Sequence, residues 1–204
     1  MDSLTQIALE ISACTDCPLY LNRSRTVPGE GPQNAKIMLV GEAPGSNEDK
    51  QGRPFVGAAG HFLEELLALA TLRREDVYIT NTVKCRPLNN RDPLNTEKAA
   101  CRKYLDRQIE VISPKVVVTL GRHSMTSFLP NETISKVRGK PKRLNGITLF
   151  PVYHPAAALY QGSLRKVIEE DIMKLPALLE ELDSIQEKAS PVRLETQGEQ
   201  LGMF

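Results

Sequence analysis

Two short segments that lie far apart in the chain carry side chains suited to acid–base chemistry or to stabilising an anion. Residues 41–45 place the Glu42 carboxylate in a turn rich in glycine and proline, and residues 154–159 begin with the His154 imidazole. Each segment follows an apolar, β-branched run that is typical of a buried strand. Parallel strands present their carboxyl ends at one edge of a sheet, so we expect both side chains in one cleft. Such a cleft suits a reaction whose leaving group departs as an anion.

The four cysteines form a second candidate site. Cys14 and Cys17 are spaced Cys-x2-Cys, and Cys85 and Cys101 follow later in the chain. Four thiolates can bind zinc or a [4Fe–4S] cluster, and the spacing does not distinguish the two. Two disulfides or four unrelated buried thiols are the alternatives, and an intracellular setting disfavours disulfides. A site saturated by four thiolates has no open position for substrate, so we expect a structural role.

Alternating strand and helix patterns predict an α/β layer fold with a mostly parallel sheet. Apolar runs predict strands at residues 36–40, 77–80, 115–120 and 148–153. Helical periodicity predicts helices at residues 4–12, 57–69, 97–112 and 164–182. The chain turns polar near residue 184. We therefore predict one domain over residues 1–183 and a flexible tail over residues 184–204.

The composition is typical of a soluble globular protein. Hydrophobic residues make up 41% of the 204 residues, and 26 basic side chains face 25 acidic ones. Acidic residues predominate after Ser163, which leaves a basic body that is compatible with a polyanionic partner and equally with ordinary surface variation. No apolar stretch is long enough to span a membrane. The polar N-terminus is unlike a secretory signal, so we expect an intracellular protein.

Taken in order, the motifs resemble those of the family 4 uracil-DNA glycosylases, the iron–sulfur branch of their superfamily. They are Cys14-x2-Cys17, Gly41-Glu42-Ala43-Pro44-Gly45, Gly52-Arg53-Pro54-Phe55-Val56-Gly57, Asn81-Thr82-Val83-Lys84-Cys85-Arg86-Pro87, Cys101 and His154-Pro155-Ala156-Ala157-Ala158-Leu159. The resemblance covers about residues 10–182. It implies a four-stranded sheet between two helix layers. It also implies a [4Fe–4S] cluster on Cys14, Cys17, Cys85 and Cys101.

The resemblance implies a base excision repair enzyme that flips uracil out of single- and double-stranded DNA and hydrolyses its glycosidic bond. Phe55 would stack on the base, and the Asn81 amide would pair with uracil O4 and N3–H. A neutral His154 would stabilise the negative charge that develops on uracil O2. Glu42 would position the attacking water beside the sugar. The resemblance further implies a monomer in a prokaryotic cytoplasm, associated with the nucleoid.

Further motif positions have less specific expected roles. Backbone N–H groups near Ala43 and Gly45 are expected to contribute to the site, and Glu48 and Asn90 match family positions linked to activity. Apart from Lys84, no lysine stands in the motifs, and we expect an abasic product without strand cleavage. The segment after Cys85 lacks the histidine of a relative that is trapped covalently on DNA, so we expect no trapping. His61 and His123 match no motif and are assigned to helix surfaces.

Two stretches are candidate DNA contacts. A basic loop over residues 136–143 could bind phosphates, with a solvated loop as the alternative. Leu159 could act as an apolar wedge where the base leaves the stack, and a plain helix start is its alternative. The basic candidates are Arg138, Lys140, Lys142 and Arg143.

The last five residues resemble the peptide that binds the groove of a sliding clamp. Leu201, Met203 and Phe204 would occupy apolar pockets while Gln200 hydrogen-bonds at the rim. A chance apolar terminus is the alternative. Two rival functions remain open at this point, namely a clamp-linked adaptor that binds lesions without catalysis and a glycosylase with a wider range of deaminated bases.

Overall fold

The computed structural model describes residues 3–189, and these form a central sheet between helices. The strands are β1 Ile37–Gly41, β2 Tyr78–Asn81, β3 Val116–Leu120, β4 Lys142–Leu144 and β5 Ile147–Val152. The helices are α1 Leu4–Ala13, α2 Ser46–Gln51, α3 Ala58–Leu69, α4 Asn95–Ile112, α5 Arg122–Thr126, α6 Ile134–Val137, α7 Pro155–Tyr160, α8 Ser163–Ile172 and α9 Leu175–Ala189.

The sheet has the strand order β2-β1-β3-β5-β4. Neighbouring strands run parallel except for β4, which is antiparallel to β5. Gly41 is in register with Asn81 at the carboxyl ends of β1 and β2. These ends therefore present residues 42 and 81 at the same edge of the sheet.

Two apolar layers cover the faces of the sheet. Ile37 and Leu39 pack on one side with residues of α3, α8 and α9. Met38 and Val40 pack on the other side with residues of α4. This alternation follows from the two-residue period of a strand, and both faces are apolar because helices cover both. The arrangement confirms the predicted α/β class and its three layers.

The predicted count of four strands is one too low. Each of the four predicted strands matches an observed one to within a residue, and β4 is the addition. It joins β5 through Asn145 and Gly146, whose φ angles are 48° and 82°. Positive φ at both positions is typical of a tight hairpin turn, which Asn-Gly favours. The dipeptide was therefore a usable signal in the sequence.

The C-terminal region also differs from the prediction. The helix predicted over residues 164–182 is divided, since α8 ends at Ile172 and α9 begins at Leu175. Helix α9 continues to Ala189, beyond the predicted start of the tail at residue 184. The clamp-like residues 200–204 lie outside the described residues. Within residues 3–189, no helix is both long and apolar enough to cross a membrane.

Candidate active site

One cavity of about 460 Å³ opens at the carboxyl edge of the sheet. Strand ends β1, β2 and β5 supply its floor, and the segments after β1 and β2 supply its rim. The predicted catalytic and substrate-binding residues that line it are Glu42, Ala43, Glu48, Phe55, Asn81, Asn90 and His154. The fold thus brings residues from distant parts of the chain to one place.

The Glu42 carboxyl group lies partly buried in the cavity wall. Burial raises its pKa to about 7, and the negative charge of Asp92 adds to this, while Lys98 and Arg122 oppose it. Its Oε1 atom is buried and has no hydrogen-bond partner in the part of the chain that the structure describes. A carboxyl group with such a pKa can both accept and release a proton near neutral pH.

The turn that carries Glu42 is held to the end of β2. Thr82 donates its backbone N–H to Gly41 O at 2.9 Å and its hydroxyl to Glu42 O at 2.6 Å. Val83 N donates to Glu42 O at 3.1 Å. The side chain of Ala43 lines the cavity on one side and packs against the cysteine cluster on the other. The turn therefore couples the cavity to the cysteine region.

Glu48 links the turn after β1 to the segment that carries Phe55. Its Oε2 accepts from Gly45 N at 3.1 Å, and its Oε1 accepts from Val56 N and Gly57 N, both at 2.9 Å. Three backbone donors thus occupy one carboxylate. The Gly45 N–H, which we expected to contribute to the site, is hydrogen-bonded to Glu48 in this structure.

Phe55 has a backbone conformation that is rare for a bulky residue. Its φ angle is 51°, in the left-handed region. Arg74 Nη1 donates to Phe55 O at 3.0 Å, and a Cβ at Gly60 would lie only 1.9 Å from that oxygen. These contacts support the strained conformation, which turns the ring toward the cavity and against His154 with ring centroids 5.7 Å apart.

Asn81 ends β2 and is almost fully buried. Its neighbour across the ladder is Gly41, where a Cβ would lie 2.4 Å from Asn81 Oδ1 and 2.7 Å from Phe55 Cζ. Glycine at this position therefore lets the amide and the ring approach the same part of the cavity wall.

His154 caps the N-terminus of α7 with its side chain. Its Nδ1 accepts a hydrogen bond from Ala156 N at 3.1 Å. Burial lowers the pKa of the imidazole to about 4, so the ring is neutral at physiological pH. A neutral ring that accepts at Nδ1 carries its proton on Nε2. The cavity is therefore lined by an imidazole able to donate without being charged.

His123 and Asp92 also belong to this region, although no motif marked them. His123 lies on α5, at the carboxyl end of β3, with Nδ1 3.7 Å from Glu42 Oε1 and Nε2 3.1 Å from Asp92 Oδ2. The prediction that His123 occupies a helix surface omits this contact. The signal available was that Gly121 ends a parallel strand, which places the next residues at the same edge.

The rim after β2 is held by polar contacts. Asn90 Oδ1 accepts from Arg86 Nε at 2.7 Å, and Asn90 has a φ angle of 55°. Arg91 makes a two-point contact with the buried Glu97 carboxylate, at 2.9 Å and 2.6 Å. Glu97 also accepts from Leu94 N at the start of α4. The rim that contains Asn90 is thus anchored to α4.

The four cysteines line one small apolar pocket next to the active-site cavity. They come from the segment after α1, the segment after β2 and helix α4. Burial raises the pKa of the Cys101 thiol to about 11. Among the described residues, three ligand atoms lie mutually within 4.8 Å only in the set Glu42, Asp92 and His123, so no three cysteine sulfurs are that close.

Two basic residues that sequence reasoning missed surround the cysteines. Arg23 Nη1 donates to Cys85 Sγ at 3.2 Å and to Cys14 O at 2.9 Å. Lys84 is buried, and its Nζ donates to Asn81 O at 2.8 Å and to Gln108 Oε1 at 2.7 Å. Burial lowers the Lys84 pKa to about 8. These residues bridge the cysteine pocket, α4 and the end of β2.

The predicted basic loop over residues 136–143 is only partly a loop, because α6 and β4 include its ends. Arg138 pairs with the buried Asp171 at 2.6 Å, and Lys142 contacts Glu132. Arg143 pairs with Thr148 near the start of β5, opposite the cavity edge. Lys140 is exposed. The structure therefore gives Arg138 and Lys142 internal partners and does not bring Arg143 to the cavity.

Comparison with known proteins agrees with this geometry. Residues 28–179 match the uracil DNA glycosylase superfamily. A type-4 uracil-DNA glycosylase of Sulfurisphaera tokodaii is 52% identical over 87% of this chain and 86% of its own length. Similar proteins of the same description occur in Saccharolobus solfataricus, at 53% identity over 88% of both chains, and in Thermotoga maritima, at 47% over 87% and 96%. The chain belongs to this superfamily and, within it, to the type-4 uracil-DNA glycosylases.

Proposed function

We propose that this chain is a DNA repair glycosylase that excises uracil through the cavity beside Glu42. The observation that carries the proposal is the convergence of all seven expected catalytic and substrate-binding residues on one cavity. The relatives that share about half of its residues are all described as uracil-DNA glycosylases. The substrate is uracil-containing DNA, and the product is an abasic site.

The chemistry follows from the groups in the cavity. Phe55 stacks on the flipped base, and the Asn81 amide donates to O4 and accepts from N3–H. The bond from C1′ to N1 breaks with both electrons leaving on uracil, and His154 Nε2–H stabilises the charge at O2. Water then bonds to C1′ and gives a proton to Glu42. That proton finally neutralises the uracil anion through solvent.

Release of free uracil from a uracil-containing oligonucleotide tests this assignment. We expect the wild-type protein to release uracil and leave an intact abasic strand. The rate of uracil release should fall strongly in Glu42→Ala, Asn81→Ala and His154→Ala. Unchanged rates in all three variants contradict the site assignment. Tight binding without release identifies the adaptor function instead. A parallel oligonucleotide with hypoxanthine measures whether the range extends to deaminated purines.

We further propose that Cys14, Cys17, Cys85 and Cys101 bind a [4Fe–4S] cluster. A zinc ion with Zn–S bonds of about 2.3 Å needs sulfurs about 3.8 Å apart. Of the four described cysteines, no three have sulfurs within 4.8 Å of one another, which is wider than a zinc site needs and supports the larger cluster. The cluster supplies a structural link between segments, while the Arg23 guanidinium supplies a hydrogen bond to Cys85 Sγ. A brown protein with about four iron atoms per chain supports the proposal, and a colourless zinc protein contradicts it.

Two further proposals concern partners. Leu159 is half exposed on α7, next to the highly exposed Tyr160 at the cavity mouth, and we propose that Leu159 fills the gap left by the flipped base.

We also propose that the protein acts as a monomer and that Gln200, Leu201, Met203 and Phe204 bind a sliding clamp. Deleting residues 200–204 should abolish binding in a titration with a bacterial or PCNA-type clamp, and unchanged affinity contradicts the clamp proposal.

A further inference from the structure

The buried Oε1 atom of Glu42 needs a donor if the carboxyl group is to work as an anion. In the described residues this atom has no hydrogen-bond partner, and a buried charged oxygen without one is costly. The nearest ring nitrogen is His123 Nδ1, at 3.7 Å. Hydrogen bonds of this kind are commonly long in a site without substrate and shorten when substrate binds.

The neighbours of His123 determine where its ring carries a proton. Arg122 Nη2 lies 3.0 Å from His123 Nε2. A guanidinium has only donors, so Nε2 accepts in this contact and the proton of the neutral ring is on Nδ1. Asp92 Oδ2 also approaches Nε2, at 3.1 Å, and can accept a hydrogen bond from it only when Nε2 carries a proton. Burial lowers the pKa of the His123 ring overall, and Asp92 only opposes this, so the neutral ring predominates. When Arg122 donates to Nε2, the proton of the neutral ring is on Nδ1 and faces Glu42, whereas a neutral ring that donates from Nε2 to Asp92 has no proton there.

Several charges act on the same pair of groups. Asp92 disfavours ionisation of Glu42, whereas Lys98 on α4 and Arg122 on α5 favour it. The same three charges act on His123, together with burial of its ring. Lys98 and Arg122 act on Glu42 through long-range electrostatic attraction and not through a hydrogen bond. His123 Nδ1 is therefore the group placed to contact Oε1 directly.

We propose that His123 is a positioning residue whose Nδ1–H donates to Glu42 Oε1 and holds the carboxylate ionised and oriented toward the attacking water. This inference rests on the proposed function, because it assigns His123 a task in the same reaction. Arg122 supports this arrangement because its guanidinium can only donate to Nε2, which leaves the ring proton on Nδ1.

The first test reads the tautomer directly and needs no catalysis. The chain has three histidines, so the ¹⁵N ring signals of the full-length protein can be assigned with a His61→Ala variant. We expect Nδ1 protonation at His123 and Nε2 protonation at His154, which provides an internal contrast. Arg122→Met should move His123 toward the Nε2–H form. A wild-type His123 with its only proton on Nε2 overturns the inference while leaving the proposed function intact.

The second test uses the pH dependence of single-turnover uracil release. His123→Leu should move the acid limb to higher pH by about one unit and slow release near neutral pH by about tenfold. His123→Asn, which can place an N–H near the position of Nδ1, should restore most of both. His61→Ala alters an exposed histidine on α3 and should match the wild type.

The outcomes separate the inference from the proposed function. His123→Leu with a wild-type pH profile, or His123→Asn as slow as His123→Leu, overturns the inference alone. Thermal unfolding of each variant shows whether a loss reflects the fold, and restoration by His123→Asn excludes that cause. A wild-type protein that releases no uracil contradicts the proposed function and this inference together.

Discussion

At the scale of single residues, the site depends on neutral or nearly neutral groups placed where charge develops. Burial raises the Glu42 pKa and lowers the His154 pKa, so both groups are held near their uncharged forms. This suits the role that we propose for His154, because a neutral donor can stabilise the leaving anion without the cost of burying a cation. It opposes the role that we propose for Glu42, because only the ionised carboxylate can accept the proton from water.

The Glu42 pKa leads to a prediction about the pH dependence of base release. Glu42 is protonated at low pH and ionises as the pH rises through about 7, so release should increase over that range. His154 stays neutral throughout, since its pKa is about 4. Single-turnover rates between about pH 5 and 9 should show one acid limb.

Glu42→Gln supplies the control for this assignment. The variant should lose the acid limb and release uracil about 10²- to 10⁴-fold more slowly, which is the usual contribution of a proton acceptor. Glu180→Gln, at an exposed position on α9, should leave the profile unchanged. If the acid limb persists in Glu42→Gln, the limb reports the ionisation of a group other than Glu42.

Gly41→Ala tests the close packing around the Asn81 amide, which we propose recognises the base. The new methyl group would collide with Asn81 and Phe55 side-chain atoms, which must move, while the β1 backbone can keep its conformation. We expect kcat/KM to fall by about tenfold or more with a folded protein. Gly162→Ala meets no atom within 4 Å and is the matched control. Equal activity of the two variants would argue against this role for Gly41.

At the scale of elements, the cavity is built from segments that follow strands and are fastened to one another. Glu48 joins the start of α2 to the segment before α3. Arg91 and Glu97 join the rim to α4, and Lys84 joins the end of β2 to the same helix. Several short segments therefore depend on a few buried polar contacts rather than on regular secondary structure.

Glu48→Gln should weaken this connection. An amide offers one acceptor oxygen where the carboxylate uses two oxygens for three backbone donors, so at least one partly buried N–H loses its partner. We expect unfolding to be easier by about 1–3 kcal/mol and uracil release to slow. Thermal unfolding and single-turnover kinetics measure the two effects. A variant with normal stability and activity would show that these bonds contribute little.

At the scale of the whole molecule, the cysteine pocket joins parts of the chain that the main core does not hold together. Residues of α1 pack with the cysteines and with α4 as a separate apolar cluster beside the sheet. This cluster lies next to Ala43 and to the segment after Asn81. The cluster that we propose for this pocket would therefore stabilise the active-site rim without contacting the substrate.

Removal of the proposed cluster should therefore affect the structure locally. We expect hydrogen exchange to increase in α1 and in the segment around Cys85, because their covalent link to α4 is lost, and to change little in β3 and β5. Uracil release should fall as the end of β2 loosens. Uniform exchange across the sheet after metal removal would show that the site supports the whole fold instead.

The accuracy of the sequence predictions depended on how local their signals were. Glu42, Asn81 and His154 each follow an apolar run directly, so their place at strand ends was predictable. The sequence did not predict the short strand β4 because three residues carry no clear periodicity, although the Asn-Gly turn that follows it was visible. The sequence also did not predict the contacts of His123, Arg23 and Lys84, because these contacts involve residues distant in the chain.

The sequence by itself determined the α/β class, the apolar strands and the family motifs, because these depend on residue order and two- or 3.6-residue periods. Only the tertiary structure decided that Glu42 Oε1 is buried beside His123, that Glu48 already uses the Gly45 N–H, and that Arg138 faces Asp171. Burial and hydrogen-bond partners are set by what the folded chain places around an atom. Those surroundings determine the pKa of the carboxyl group, the tautomer of each imidazole and the charges available to DNA.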